Sequence, residues 1–137
     1  MIRQKKLRWT ASKSSQKSNS LGQLAEQHAR EYLQSQGLTF LEQNYHSRWG
    51  EIDLVMKDCE VLTFIEVKYR KNKIFGGAIS AVSRPKQQKI MKTAAIYLQQ
   101  HGLNEYNTDY RFDVVAIEGN TDTITQPQIN WLKNAFN

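Results

Sequence analysis

The chain has 137 residues, of which 39% are hydrophobic, and its formal net charge is +6. This length predicts one domain with a modest core, and no apolar run approaches the roughly 20 residues that a membrane-spanning helix needs. The polar N-terminus is unlike a signal peptide and Cys59 is the only cysteine, so we expect a soluble, cytoplasmic protein without a disulfide or a cysteine-based zinc site.

The positive charge is concentrated at the start of the chain. Residues 1–20 contain six basic and no acidic side chains, while the charges of residues 21–137 balance. Serine is frequent in this segment and hydrophobic residues are few, which predicts a disordered basic tail at 1–20 and a folded domain at 21–137. Such a tail can bind nucleic acid nonspecifically or merely aid solubility.

The first predicted element is a helix from about Leu21 to Gln36. Its apolar residues repeat at helical spacing, and Gly37 is placed to cap its C-terminus. Glu26 lies at the flank of the apolar stripe, where it could reach the edge of a sheet or remain in solvent. A strand is predicted to begin at residues 38–41.

Two further strands carry charged groups among apolar ones. Residues 51–56 and 61–68 are rich in branched and aromatic side chains, and the short polar link between them predicts an antiparallel hairpin. Because side chains alternate along a strand, we expect Asp53 to share a face with Val55, opposite Ile52.

The hairpin would bring Asp53 close to Glu66, which shares a face with Lys68. Two neighbouring carboxylates repel each other unless a cation lies between them, and Mg²⁺ prefers oxygen ligands, typically one or two carboxylates with phosphate oxygens. Lys68 could hold an attacking water and stabilise charge that develops on a phosphate. The alternative is that both carboxylates form surface ion pairs with Lys68 and Arg70.

An acid-free stretch begins at this site and extends to Lys92. Residues 71–81, with two adjacent glycines, predict a mobile loop within it. A basic surface of this kind is what binding to a phosphate backbone requires. The residues that we assign to nucleic-acid binding are Arg70, Lys71, Lys73, Lys86, Gln87 and Lys89.

A second helix is predicted over residues 83–100, since proline suits a first turn and glycine follows the end. Its buried face should comprise Ile90, Met91, Ala94, Ala95, Tyr97 and Leu98. Lys86, Lys89 and Lys92 would then lie on the opposite side. Gln87 lies on the apolar face, where its amide could bond towards the site or a nucleotide, or satisfy backbone groups of the first turn.

The remaining elements follow this helix. Residues 111–117 are so apolar that we expect an interior strand, in which Asp113 could orient a neighbour or pair with Arg111. Residues 124–127 predict a short edge segment that ends at its proline. The spacing of apolar residues at 129–136 indicates a terminal amphipathic turn that covers the core.

Several of these motifs resemble those of a known family. The resemblance is carried by GEIDL at 50–54, EVK at 66–68, RFDVV at 111–115, and Gly22 with Glu26. In these motifs the chain is similar to the YraN-like bacterial proteins, an uncharacterised family. They in turn resemble the PD-(D/E)XK nuclease superfamily, which includes Holliday junction resolvases and restriction endonucleases.

The resemblance covers residues 21–136 and implies a restriction-endonuclease-like α/β fold, in which helices flank a mixed sheet. It implies that Asp53 and Glu66 are metal ligands, that Lys68 is the catalytic lysine, and that Glu26 completes the site. Ile52 stands where the superfamily's name has proline, which is common in the resolvase-like branch.

Together these features predict an endonuclease that uses Mg²⁺ or Mn²⁺ to hydrolyse phosphodiester bonds of DNA, with branched or structured DNA among its substrates. A nucleic-acid-binding module with a silent site, an RNA-processing protein and a protein-interaction domain remain as alternatives. Resolvases act as dimers, so a homodimer is also open, although nothing in the sequence identifies its face.

Overall fold

Five strands form one mixed sheet in the computed structural model, which describes residues 20–70, 82–119 and 128–137. The helices are α1 (Ser20–Ser35) and α2 (Arg84–Gln100). The strands are β1 (Thr39–Ser47), β2 (Gly50–Asp58), β3 (Val61–Arg70), β4 (Tyr110–Glu118) and β5 (Gln128–Phe136). Three predictions fall outside the described residues: the tail apart from Ser20, the loop at 71–81 with Lys71 and Lys73, and the edge segment at 124–127.

The strands lie in the order in which they occur in the chain. β1, β2 and β3 pair antiparallel, β3 and β4 pair parallel, and β5 returns antiparallel to β4. The parallel pair is joined through α2, because parallel neighbours need a long crossover connection. The predicted α/β fold with a mixed sheet, two flanking helices and an interior strand at 111–117 is therefore confirmed.

The sheet separates two apolar clusters. One lies under α2 and includes the helix residues Ile90, Ala94, Tyr97 and Leu98. The other lies under α1 and includes Ala25, Ala29 and Leu33. Phe64 belongs to the first cluster and Ile65 to the second, as alternation along a strand requires. We call these two sides of the sheet the α2 face and the α1 face.

The end of α1 and the start of α2 lie where the sequence predicted. Gly37 follows α1 with φ +100°, in the left-handed region that favours glycine, and its N–H donates to Gln34 O at 3.0 Å. Ser83 caps α2, because its hydroxyl accepts a bond from Lys86 N at 3.3 Å, and Pro85 occupies the first turn. Among the described residues no helix is long and apolar enough to span a membrane.

The buried face of α2 differs from the predicted one. Thr93 is fully buried while Ala95 is exposed. Thr93 tolerates burial because its hydroxyl lies 2.8 Å from that of Ser47 on β1. The buried residues are Ile90, Thr93, Ala94, Tyr97 and Leu98. Lys86, four residues before Ile90, therefore lies at the edge of this face, and its predicted position on the opposite side was wrong.

The C-terminal segment is a strand, so the predicted amphipathic turn was wrong. β5 pairs with β4 and places Trp131 on the α1 face and Leu132 and Phe136 on the α2 face. Leu132 and Ala135 can both pack on this face, although they are three residues apart, because the register shifts between Leu132 and Phe136, at Asn134 with φ +51°. This bulge interrupts the period of two, and the apolar spacing that results resembles that of a helix.

Candidate metal centre

Asp53 lies where β2 and β3 separate. The pairing of these strands ends at Leu54 and Ile65. One residue further on, the Asp53 side chain replaces the backbone pairing, since its Oδ2 accepts a hydrogen bond of 2.8 Å from Val67 N. The carboxylate thus satisfies a backbone donor that would otherwise need a partner strand. Asp53 is held in one orientation by this bond, and it is nearly buried.

The separation of the strands also changes the direction of side chains in β2. Ile52 and Val55 both belong to the α2 face although they are three residues apart. The expectation that Ile52 lies opposite Val55 was therefore wrong. Ile52 pairs with Tyr45 of β1, which lies in the same cluster. At this point β2 therefore remains paired with β1, although its pairing with β3 has ended.

Glu66 lies beside Asp53 on β3 and is only 5% exposed. Its Oε2 is 3.8 Å from Lys68 Nζ and 3.8 Å from Lys86 Nζ. Its Oε1 is buried and has no hydrogen-bond partner among the described residues. A buried carboxylate oxygen without a partner is costly, so this atom is the place in the site where a proton or a cation would be most stabilising.

Burial raises the pKa of both carboxyl groups, and the charge of Asp53 raises that of Glu66 further. The pKa of Glu66 rises from 4.5 to about 8, first because the group is buried and then because Asp53 is close, while Lys86 and Lys68 oppose the rise. Burial also raises the pKa of Asp53, against the hydrogen bond from Val67. Near neutral pH the pair therefore holds a proton, which a hard cation would replace.

Glu26 approaches the pair from α1. Its pKa rises from 4.5 to about 7, because it is partly buried and because the charges of Asp53 and Glu51 repel its own. Gln43 Nε2 donates to Glu26 Oε1 at 3.4 Å, which stabilises the ionised form. However, no three His, Cys, Asp or Glu residues in the described parts of the chain lie close enough together to hold one metal ion. The charge of Asp53 thus acts on Glu26, whose catalytic role stays a prediction.

Lys86 is the residue of this site that the sequence missed. We assigned it to nucleic-acid binding from the charge pattern, yet its ammonium is as close to Glu66 as that of Lys68. The Lys86 side chain is 41% exposed and the Lys68 side chain is 35% exposed, so both also face solvent. The missing signal was the burial of Thr93. Lys86 lies two turns before Thr93 on the same side of α2, which is the side that faces the sheet.

The other residues assigned to nucleic-acid binding lie around this site or outside the described chain. Gln87 Nε2 donates to Val82 O at 3.0 Å and its Oε1 accepts from Arg84 at 3.0 Å, which is the first-turn alternative. Lys89 is exposed on α2. Arg70 ends β3, where its carbonyl accepts from Gly119 N at 3.1 Å. Nucleic-acid contact by these residues stays a prediction.

Asp113 is a buried carboxylate in the same sheet, and both of its oxygens have hydrogen-bond partners. Its oxygens accept from Arg111 Nε at 3.0 Å, Trp131 Nε1 at 2.9 Å and Asn134 N at 2.9 Å. Both predicted roles apply, since it pairs with Arg111 and also fixes the bulge of β5. Every one of its oxygens has a partner, in contrast to Glu66 Oε1.

The composition of the site fits a hard divalent cation. Its ligand atoms are carboxylate oxygens, one of them is unsatisfied, and the neighbouring side chains supply positive charge. Mg²⁺ typically uses one or two protein carboxylates and completes its shell with water and phosphate oxygens. Asp53 and Glu66 are sufficient for this mode of binding, and a third protein ligand is not required.

Comparison with known proteins identifies the family. Residues 25–117 match a family described as Uncharacterised protein family UPF0102. The chain belongs to this family. It is 58% identical over 119 residues to a UPF0102 protein of Colwellia psychrerythraea, which covers 87% of this chain and 90% of that protein. The UPF0102 protein of Vibrio campbellii is 48% identical over 116 residues, or 85% of this chain and 91% of its own.

A UPF0102 protein of an Enterobacter species is 47% identical over 108 residues, which are 79% of this chain and 77% of that protein. The YraN-like resemblance is thus confirmed. The UPF0102 match includes Glu26, Asp53, Glu66, Lys68 and Lys86. The family's description names no activity, so any function has to be argued from the site itself.

Proposed function

We propose that this UPF0102 chain is a nuclease that uses a divalent cation to hydrolyse phosphodiester bonds of DNA. The observation that carries the proposal is the pair formed by Asp53 and Glu66, in which one buried carboxylate oxygen lacks a partner among the described residues. A purely structural pair would be expected to resemble Asp113, whose oxygens are all bonded.

The side chains divide the work in this proposal. Asp53, oriented by Val67 N, and Glu66 would hold Mg²⁺ or Mn²⁺. The bound cation would polarise a phosphoryl oxygen and lower the pKa of a water molecule. Lys68 and Lys86 lie beside Glu66 and are partly exposed. Their ammonium groups can therefore turn from the carboxylate to a phosphate and stabilise the negative charge that develops there.

The surface next to the site suits a polyanion. Lys89 and Lys92 are exposed on α2, beyond Lys86. From Lys68 to Lys92 the sequence contains no acidic residue. Neutralisation of DNA phosphates by such residues releases counterions and supplies most of the nonspecific affinity.

Cleavage of a set of DNA forms tests this function directly. Duplex, nicked, flapped and four-way DNA would be incubated with Mg²⁺ or Mn²⁺ and either the wild type or Glu66→Gln. Glu60→Gln is a matched control, because it makes the same change at an exposed residue of the same hairpin. We expect the wild type and Glu60→Gln to cleave at least one form and Glu66→Gln to cleave none. Equal cleavage by all three proteins would indicate a contaminant and contradict the proposal.

The second candidate is a nucleic-acid-binding module with a silent site. The observation in its favour is that no three potential ligands in the described chain gather around one position. Such a module would bind DNA in a salt-dependent manner without cleaving it. Failure of the wild type to cleave any DNA or RNA with either metal, together with retained binding, would favour this candidate over the nuclease.

A further inference from the structure

The turn between β1 and β2 presents an aromatic ring to solvent. Trp49 is 39% exposed. Lys92 Nζ lies 4.2 Å from the centre of its ring, and Arg48 Cζ lies 5.0 Å from it. The turn is fixed to the fold, because Trp49 N donates to Ser47 Oγ at 3.0 Å and Ser47 Oγ lies 2.8 Å from the buried Thr93 hydroxyl. An indole with two cations on a fixed support is thus available to a ligand.

One edge of α2 connects this ring with the carboxylates. Lys86 lies beside Glu66. Three residues further along α2, Lys89 lies close to the start of β2, because a Cβ added to Gly50 would be 3.8 Å from the Cβ of Lys89. After three more residues, Lys92 contacts Trp49. Residues three apart lie on one side of a helix, so this basic edge runs continuously from the candidate metal centre to the exposed indole.

The length of this edge can be compared with the spacing of nucleotides. At about 1.5 Å per residue, Lys86 and Lys92 are about 9 Å apart along the helix. Phosphates follow one another at about 3.4 Å along each strand of a duplex. That value is a rise along the axis of a stacked duplex, and an unstacked strand spaces its phosphates farther apart. A strand whose phosphate is held at Lys86 would therefore pass the indole within about three nucleotides.

An exposed ring at that position can stack only on a base that is itself accessible. The bases of a duplex are paired and stacked on each other, whereas those of a single strand present their faces to aromatic side chains. Base stacking on an aromatic side chain is stronger than an exposed cation–π contact. A base could therefore displace Lys92 and Arg48 from the ring, and both cations could then bind the flanking phosphates.

We propose that Trp49 stacks on an unpaired base within about three nucleotides of the phosphate held at Lys86, and that the site thereby selects DNA with a single-stranded segment. This inference rests on the proposed function, because it takes Lys86 and Glu66 as the place where a phosphate is held. It assigns to Trp49 a role in substrate selection, distinct from metal binding and from the hydrolytic step.

Binding measured in EDTA tests the inference without cleavage. The probes are a DNA with a single-stranded gap, labelled with 2-aminopurine at successive gap positions, and a fully paired duplex of the same sequence. Trp49→Leu removes the aromatic face and Trp49→Phe retains one. We expect Trp49→Leu to weaken binding to gapped DNA by about five- to 150-fold and to leave duplex binding unchanged. Trp49→Phe should stay closer to the wild type.

Stacking also has a spectroscopic signature. We expect the wild type to quench 2-aminopurine at one or two gap positions and Trp49→Leu to lose that quenching. If Trp49→Leu unfolds, the position dependence in the wild type decides, because equal quenching at paired and unpaired positions would overturn the inference.

The outcomes separate this inference from the function on which it rests. Equal weakening of gapped and duplex binding by Trp49→Leu, or an equal loss in Trp49→Leu and Trp49→Phe, would mean that the residue only supports the turn. The inference would then fail, while metal-dependent cleavage by the wild type would still support the nuclease. If the wild type binds neither probe, the inference fails as well, and the cleavage assay alone decides the function.

Discussion

Val67 N donates a hydrogen bond of 2.8 Å to Asp53 Oδ2, across the point where β2 and β3 separate. A side chain here takes the place of a backbone acceptor, and this opens the sheet beside Glu66. The same contact satisfies a part-buried donor, orients a carboxylate and leaves the two strands unpaired beside Glu66. The local distortion of the sheet and the candidate site therefore have one cause.

Substitutions of Asp53 should separate the structural role of this contact from its charge. Asp53→Asn retains a side-chain oxygen that can accept from Val67 N, whereas Asp53→Ala leaves that N–H without an acceptor. We expect Asp53→Ala to be less stable than Asp53→Asn by about 1–3 kcal/mol, the cost of an unsatisfied buried donor. Both variants should lose metal binding. Urea unfolding in EDTA measures the first effect, and equal stability of the two variants would contradict it.

The pH dependence of stability should report the pKa of Glu66. Its pKa is 4.5 when unfolded and about 8 in the fold, so the folded state binds more protons between these values. The free energy of unfolding of the metal-free protein should therefore fall as pH rises through this range. Glu66→Gln should flatten the decline and leave the part due to Asp53 and to Glu26, whose pKa rises to about 7.

Urea unfolding in EDTA at several pH values across that range provides the measurement. Glu60→Gln serves as the control, because Glu60 is exposed and lies at the far end of the hairpin. A free energy of unfolding that rises with pH in the wild type, or that changes with pH equally in Glu66→Gln, would show that Glu66 is not the titrating group.

The elements of this fold could be predicted because their signals are local. Helical spacing and a following glycine placed α1, and the polar link between two β-rich segments placed the hairpin that joins Asp53 and Glu66. Proline in the first turn placed the start of α2. Each of these signals depends on residues that are close in sequence, so no knowledge of the tertiary structure was required.

The errors share a different cause, which is a polar contact between distant parts of the chain. The buried Thr93 hydroxyl contacts that of Ser47. Lys86, two turns earlier on the same side of α2, consequently lies beside Glu66. Asn134 interrupts β5 because its N–H donates to Asp113. Such side-chain contacts become visible only once strands and helices are placed, and the proximity of Lys86 to Glu66 could therefore not be predicted from charge or periodicity.

The two lysines should affect turnover without affecting the metal. Neither ammonium is a metal ligand, so Lys68→Ala and Lys86→Ala should retain metal affinity. Lys68→Ala should lose most turnover, about 10²- to 10³-fold in rate, as for loss of one positioned charge at a transition state. Lys86→Ala should also slow cleavage, because its ammonium is equally close to Glu66.

Single-turnover cleavage and metal titration of these variants provide the comparison. Lys57→Ala is a suitable control, since Lys57 lies on β2 near the turn of the same hairpin. Loss of metal binding in Lys68→Ala, or normal cleavage by both variants, would show that the lysines do not have these roles.

Affinity for duplex DNA should depend steeply on salt. If about five to eight cations of the tail and of the stretch from Lys68 to Lys92 meet phosphates, the log–log slope should be roughly −4 to −7. Deletion of residues 1–20 should reduce the slope without abolishing binding. Fluorescence anisotropy over a range of salt concentrations measures this, and an affinity that is independent of salt would contradict the assigned surface.

The central claim is that Asp53 and Glu66 together bind one hard cation, and calorimetric titration of Mn²⁺ tests it most directly. Near neutral pH the wild type should bind one Mn²⁺ and release about one proton, because the cation replaces the proton held by the pair. The proton is counted by repeating the titration in buffers of different ionisation enthalpy. Glu60→Gln should behave like the wild type, and Glu66→Gln should bind no Mn²⁺. Absence of binding in the wild type, or equal binding by Glu66→Gln, would contradict the account.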